Sequence, residues 1–124
     1  MEIKSCKRDI SVHEMRVARE IISFSQQEMQ SRNFNVLKEI GVKVGKLSCI
    51  DPESLRFAFD MLKKETELSG TELKIETVSI EAVCRSCGRE FIIDEFVFIC
   101  PGCGSYEVEV RKGEELIITH LTFE

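Results

Sequence analysis

The sequence predicts an α+β protein: two helices on a three-stranded sheet, with a four-cysteine zinc-ribbon lobe inserted between sheet strands. Three observations carry that prediction. Two stretches combine helical periodicity with helix-start chemistry. Segments around Val36–Leu47, Thr71–Ile80 and Leu116–Phe123 have the β-branched or alternating pattern of strands. Between the second and third of these lie two C-x-x-C knuckles, Cys84-Arg-Ser-Cys87 and Cys100-Pro-Gly-Cys103.

The first helix is expected from Ser11 to about Gln30. Ser11-x-x-Glu14 reads as a capping box, with Ile10 and Met15 as its hydrophobic staple. Met15, Ala18, Ile21, Ile22, Ser25 and Met29 then recur on one face, and Ser31-Arg32-Asn33 ends the helix. Val36, Ile40, Val42, Val44 and Leu47 form a half-buried strand. Asp51 is placed to cap a second helix, with Pro52 at its first position. Leu55, Phe59 and Leu62 or Lys63 mark its buried side, and it should run to about Glu67. After Ser69-Gly70, strict alternation from Leu73 to Ile80 predicts one strand leading into Cys84. Val108 and Val110 suggest a return strand, Lys112-Gly113-Glu114 a turn, and Leu116 to Phe123 a last strand that rejoins the first sheet.

Two knuckles supply four sulfurs to one tetrahedral site, the spacing of structural Zn²⁺. Gly88 and Gly104 each follow the second cysteine of a pair, where a tight knuckle needs a permissive residue. A thioredoxin-like site would need a helix after one C-x-x-C, yet both pairs sit among β-branched and aromatic residues. Redox use and iron–sulfur ligation by the same four cysteines are the remaining alternatives. Gly88 to Ile99 is long enough for a short hairpin, and Phe91, Ile93, Phe96 and Phe98 are the expected ribbon core. So small a lobe depends on its metal, which contributes on the order of 10–16 kcal/mol in zinc-finger peptides. The expected division is 1–81 with 113–124 as one domain, residues 1–11 being an extension, and 82–112 as the zinc domain. Cys6 reads as an exposed thiol and Cys49 as a small buried hydrophobe.

In 124 residues, 43% are hydrophobic and 31% charged, a balance that suits a soluble chain with a real core. No apolar run approaches a membrane span, and the first residues lack the apolar core of a signal peptide. A cytoplasmic protein is expected. The net charge is −5, and four thiolates with one Zn²⁺ add −2. That is a poor match to nucleic acid, where phosphate neutralisation dominates. There is no P-loop, G-x-S-x-G or G-x-G-x-x-G, and there are only two histidines, so no enzyme is expected. His120 reads as a surface or partly buried strand residue. His13, in the first helical turn, is a weak metal-ligand signal by itself.

The motifs together are more specific. Val12-His13-Glu14-Met15, Gly45-Lys46-Leu47-Ser48, Asp51-Pro52-Glu53-Ser54-Leu55-Arg56-Phe57-Ala58-Phe59, the two knuckles and Gly113-x-Glu115-Leu116-x-Ile118 resemble the HypA/HybF family over Val12 to Glu124. These are hydrogenase maturation proteins that deliver nickel. The resemblance implies an α/β nickel-binding domain with a three-stranded sheet, and an inserted zinc domain held by Cys84, Cys87, Cys100 and Cys103. It implies Ni²⁺ as transient cargo, and as partners a maturation GTPase and the [NiFe]-hydrogenase large-subunit precursor.

In the family, nickel sits at an amino-terminal Met-His-Glu, on the imidazole and adjacent backbone nitrogens including the free amine. His13 and Glu14 occupy the matching positions. Eleven residues precede Val12, so an amine-based site cannot form unchanged in the chain as written. Either the site is altered, with Cys6 as an optional soft ligand, or synthesis starts at Val12 from a GTG codon. The alternative function is a zinc-ribbon interaction adaptor without nickel transfer, and a nucleic-acid-binding ribbon is third. The open edges of a small sheet could also pair two copies of the chain.

Overall fold

A computed structural model describes residues 10–124, with side chains from His13 onward. Helix α1 spans Ile10–Arg32, and Asn33 follows with a left-handed φ of 59°. Strand β1 is Leu37–Gly45, and a 3₁₀ turn, Lys46–Ser48, follows it. Helix α2 is Pro52–Lys63 and strand β2 is Glu72–Val78. Asp51 caps α2 as expected, its carboxylate accepting from the Ser54 N–H at 2.9 Å. The helix ends one turn short of Glu67. At its C-terminus Lys63 Nζ donates to the Thr71 carbonyl at 2.7 Å, and Thr66 Oγ1 donates to the Lys63 carbonyl. The second bond satisfies an end carbonyl of α2 that further helix would otherwise use.

β1 and β2 pair in parallel, which requires a crossover connection, and α2 supplies it. The last strand, β6 in chain order (Leu116–Phe123), returns antiparallel to the other edge of β1, giving the order β2-β1-β6. Central β1 is therefore the most buried strand. Ile40, Val42, Val44 and Leu73 meet Ala18, Ile21, Ile22 and Met29 of α1 and Leu55, Ala58 and Phe59 of α2 in one core. Glu39, Lys43, Glu72, Lys74 and Glu76 alternate onto the opposite face of the sheet.

The strand expected from Leu73 to Ile80 is broken at Ser79. Strand β3, Ile80–Cys84, belongs to a second sheet with β4, Glu90–Ile93, and β5, Val108–Lys112, in the order β4-β3-β5. Both neighbours pair antiparallel to β3. The expected hairpin over Gly88–Ile99 is not formed. Only β4 is extended, because Glu95 and Phe96 take left-handed φ values of 53° and 59° and turn the chain away. Phe96 is accordingly 42% exposed and leaves the expected core. Ile93 is buried there as expected, together with Ile80 and Ala82, against Phe91, Phe98, Val108 and Val110, and Leu47 joins them from the 3₁₀ turn after β1.

That turn is where the two sheets meet. Gly45 N–H donates to the Glu115 carbonyl at 2.6 Å and Leu47 N–H to the Gly113 carbonyl at 2.7 Å. The backbones come so close that a Cβ on Gly45 would lie 2.1 Å from the Gly113 oxygen. Gly113 has φ 118°, and a Cβ there would lie 2.8 Å from Ile80 Cα. The Gly113-x-Glu115 signature thus marks a backbone junction where side chains have no room.

Candidate metal centre

The two knuckles are built alike. Cys84 closes β3, and its carbonyl accepts the Gly88 N–H at 2.8 Å; the Cys100 carbonyl accepts the Gly104 N–H at 2.9 Å. Gly88 and Gly104 adopt φ values of 81° and 76°. The knuckles are joined by the Ser86 and Ser105 hydroxyls, 3.0 Å apart. Together these turns bring Cys84, Cys87, Cys100 and Cys103 into one cluster, all sulfurs within 4.8 Å of one another. Cys84 Sγ lies 3.6 Å from Cys103 Sγ, and Cys87 Sγ 3.6 Å from Cys100 Sγ. A tetrahedral Zn–S bond of about 2.3 Å puts sulfurs about 3.8 Å apart, so the donor set fits zinc.

Backbone amides prepare two of the sulfurs for a cation. The Cys87 N–H donates to Cys84 Sγ at 3.4 Å and lowers the Cys84 thiol to about 6, opposed by burial. Cys100 is lowered by the Cys103 backbone N–H, again against burial. Cys103 accepts stabilisation from the Ser105 backbone, yet crowding by Cys84 and the other sulfurs pushes it up to about 11. Some thiolates form readily and another resists, as expected when four acidic groups share a small volume. A divalent cation at the centre removes that resistance.

His13 and Glu14 are placed differently from these four. His13 is exposed at the start of α1, and Glu14, its neighbour, is 0% exposed. The capping-box role expected of Glu14 gives way to a long-range one. α1 already includes Ser11, and Glu14 Oε2 accepts the Asp51 N–H at 2.6 Å. This bond fixes the first turns of α1 against the residue that caps α2. Glu14 Oε1 is buried with no hydrogen-bond partner, alone in this among the described residues. His120 lies at the surface on β6, its Nε2 2.7 Å from Glu39 Oε2. Cys49 departs from the buried hydrophobe expected of it: it is half-buried, has φ 66° and is disulfide-bonded. The left-handed bend turns it out of the core. Cys6 and the Ile10 part of the staple lie outside the described residues.

The family model described as "Hydrogenase/urease nickel incorporation, metallochaperone, hypA" matches residues 12–123. The chain belongs to the HypA family. Hydrogenase maturation factor HypA of Acidithiobacillus ferrooxidans is 32% identical over 113 residues, 91% of this chain and all of that one. The HypA of Desulfosudis oleivorans is 38% identical over 112 residues, 89% of this chain and 96% of that one. Among solved structures, one described as the solution structure of HypA protein has a TM-score of 0.67 at 21% identity, covering 91% of this chain and 97% of that one. The solution structure of the Ni metallochaperone HypA from Helicobacter pylori has a TM-score of 0.59 at 20% identity, covering 89% and 96%. These two share the fold with this chain. The HypA family is one of metallochaperones rather than catalysts by name, and no described helix is long and apolar enough to cross a membrane.

Sequence reasoning missed two residues that shape this HypA chain. Leu47 reads from the sequence as part of a strand, and its membership of the ribbon core depends on the junction geometry. The Asp51 N–H had no local signal as the partner of Glu14, 37 positions away.

Proposed function

We propose that this chain captures Ni²⁺ at the start of α1 through His13 and Glu14 and delivers it for [NiFe]-hydrogenase maturation. Cys84, Cys87, Cys100 and Cys103 hold a structural Zn²⁺. On this reading residues 1–81 with 113–124 handle nickel and residues 82–112 form the zinc domain. The partners are a maturation GTPase and the hydrogenase large-subunit precursor, met in the cytoplasm.

The observation that carries this reading is the contrast between neighbours at the helix start. His13 is open to solvent, where a cargo ion can exchange, and beside it lies a buried carboxylate with one oxygen unpartnered. A buried acceptor without a donor is costly. Glu14 Oε1 therefore gains from a cation or a donor brought to the helix start, while Oε2 keeps α1 in place. Imidazole is a good nickel ligand, and few side chains at an exposed end suit release better than a closed cage does.

The test is calorimetric titration of the zinc-loaded chain with Ni²⁺, after intact mass has established its first residue. One nickel per chain is expected, lost in His13→Ala with zinc content unchanged. Equal binding by His13→Ala would refute the site. No binding by the unaltered chain would favour the zinc-ribbon adaptor.

A further inference from the structure

We propose that His120 and Glu39 form a further, surface site for a divalent first-row metal ion, on the face of the β2-β1-β6 sheet turned away from the helices. The site is distinct from the sulfur cluster and does not depend on the nickel role proposed for His13.

Strand register brings the two side chains together. Glu39 pairs with Thr122 and Gly41 with His120, so Glu39 and His120 are diagonal neighbours on one face, a spacing that long side chains span. The register shifts after Gly41, where Val42 pairs with Ile118, so Thr119 is an extra residue in β6. Such a bulge re-aims the side chains beside it. Gly41 gives the imidazole its seat, because a Cβ there would overlap His120 Cε1 and Nδ1. The ring lies over bare backbone, with Nε2 2.7 Å from Glu39 Oε2 and Nδ1 3.1 Å from Thr119 Oγ1.

That arrangement holds both ring nitrogens. With hydrogen on Nδ1, the N–H donates to Thr119 Oγ1 and the Nε2 lone pair stands beside the carboxylate. A neutral imidazole reaches this state by exchanging its proton between nitrogens through water, and a charged one releases the Nε2 proton to water. Ligating imidazoles donate their other N–H to a neighbour in the same way. Metal–ligand bonds of about 2.1 Å at right angles put adjacent donors about 3.0 Å apart, so the present 2.7 Å gap has only to open slightly. Imidazole suits Ni²⁺, Zn²⁺ and Cu²⁺.

The side chains are 48% and 30% exposed, which admits an ion and leaves its other positions to water. Two protein ligands are in place; among the described residues only the four cysteines already bring three or more donors together. Glu72 pairs with Glu39 across β1 and β2 and adds a carboxylate on the same face. Its ion pair with Lys74 is long, 3.8 Å, and exposed, so it competes little. Lys74 and Lys38 act on Glu39 through their charge and oppose an added cation. The site is therefore a weak dock rather than a cage.

The chain has two histidines, so each imidazole Cε1–H resonance reports one location. The full, zinc-loaded chain is titrated with Ni²⁺, which broadens nearby resonances, to a large excess over one equivalent. The His120 resonance, identified by its loss in His120→Gln, should broaden in that excess and should do so equally in His13→Ala. Thr119→Val should require about tenfold more nickel, the scale at which groups behind a ligand act. In Glu39→Gln the resonance should stay sharp at the nickel that broadens it in the unaltered chain, and this variant decides where Thr119→Val disturbs the bulge. A His120 resonance that stays sharp in excess nickel overturns the site, as does equal broadening in Glu39→Gln. Broadening of His120 with His13 sharp throughout supports this site and counts against the nickel reading of His13.

Discussion

Replacing Leu47 by alanine should loosen zinc, although Leu47 lies more than thirty residues before the first knuckle. Its side chain is 8% exposed and packs with Ile80, Ala82 and Ile93 in the ribbon core. Leu47→Ala removes three buried carbons, about 2.4 kcal/mol at about 0.8 kcal/mol each. Core Leu→Ala changes run from about 2 to 5 kcal/mol with the cavity included. The lower end applies here, because the site is at the rim of a small cluster and can collapse. Where the metal-free ribbon is unfolded, folding and metal binding are one equilibrium, and the whole loss appears in metal affinity. At 1.36 kcal/mol per factor of ten, about 2.4 kcal/mol is about 60-fold. Competition with a chromophoric chelator reads this directly. Leu55→Ala, in the other core, is the control and should lower the melting temperature with little change in zinc affinity. Unchanged zinc affinity in Leu47→Ala would refute the reasoning, as would an equal loss in Leu55→Ala.

Three further outcomes follow from the geometry. Cys84 is lowered to about 6, so any stability its thiolate lends the metal-free fold is complete only above the ordinary thiol range and is lost as pH falls through 6. Zinc binding near pH 8 should then release fewer than four protons from the four cysteines, as counted by calorimetry in buffers of different ionisation enthalpy; release of all four would contradict it. Glu39 is held below its ordinary value chiefly by the His120 hydrogen bond. Its contribution is present above the ordinary carboxylate value and lost as pH falls through the depressed one, and His120→Ala should move the Glu39 titration upward by NMR. Gly45→Ala, whose Cβ meets the Gly113 oxygen, should cost about 1–3 kcal/mol as an overpacking change, seen as a lower denaturation midpoint.

What was legible in the sequence was local. The alternation of β2, the Asp51-Pro52 start of α2 and the knuckle spacing each depend on neighbours a few residues apart, and each stands where expected. Expectations failed where distant partners decide. The 73–80 strand looked continuous because alternation does not register a change of sheet at Ser79. The hairpin after Gly88 failed because Glu95 and Phe96 take left-handed backbone that their residue types do not announce. Glu14 fitted a capping box by spacing, and a backbone N–H 37 residues on claimed its carboxylate. The four-sulfur cluster could be read from spacing alone, whereas the nickel role proposed for His13 rests on resemblance, since one exposed imidazole carries little signal.

The proposed function requires a carrier with structural zinc to keep two metals apart, and the cysteine cluster and the start of α1 differ in properties that bear on this. In the sulfur cluster, Cys84 and Cys100 are almost wholly buried and take N–H donors from the knuckle backbone. Releasing a metal there means reprotonating crowded thiolates and unfolding a lobe whose core is a handful of side chains. At His13 the imidazole is exposed on an already folded helix, so an ion can leave without loss of any core contact. Affinity order among divalent metals alone would not sort nickel from zinc at imidazole. On the function proposed above, the sorting rests on exchange: zinc is retained where leaving requires unfolding, and nickel is handled where it does not.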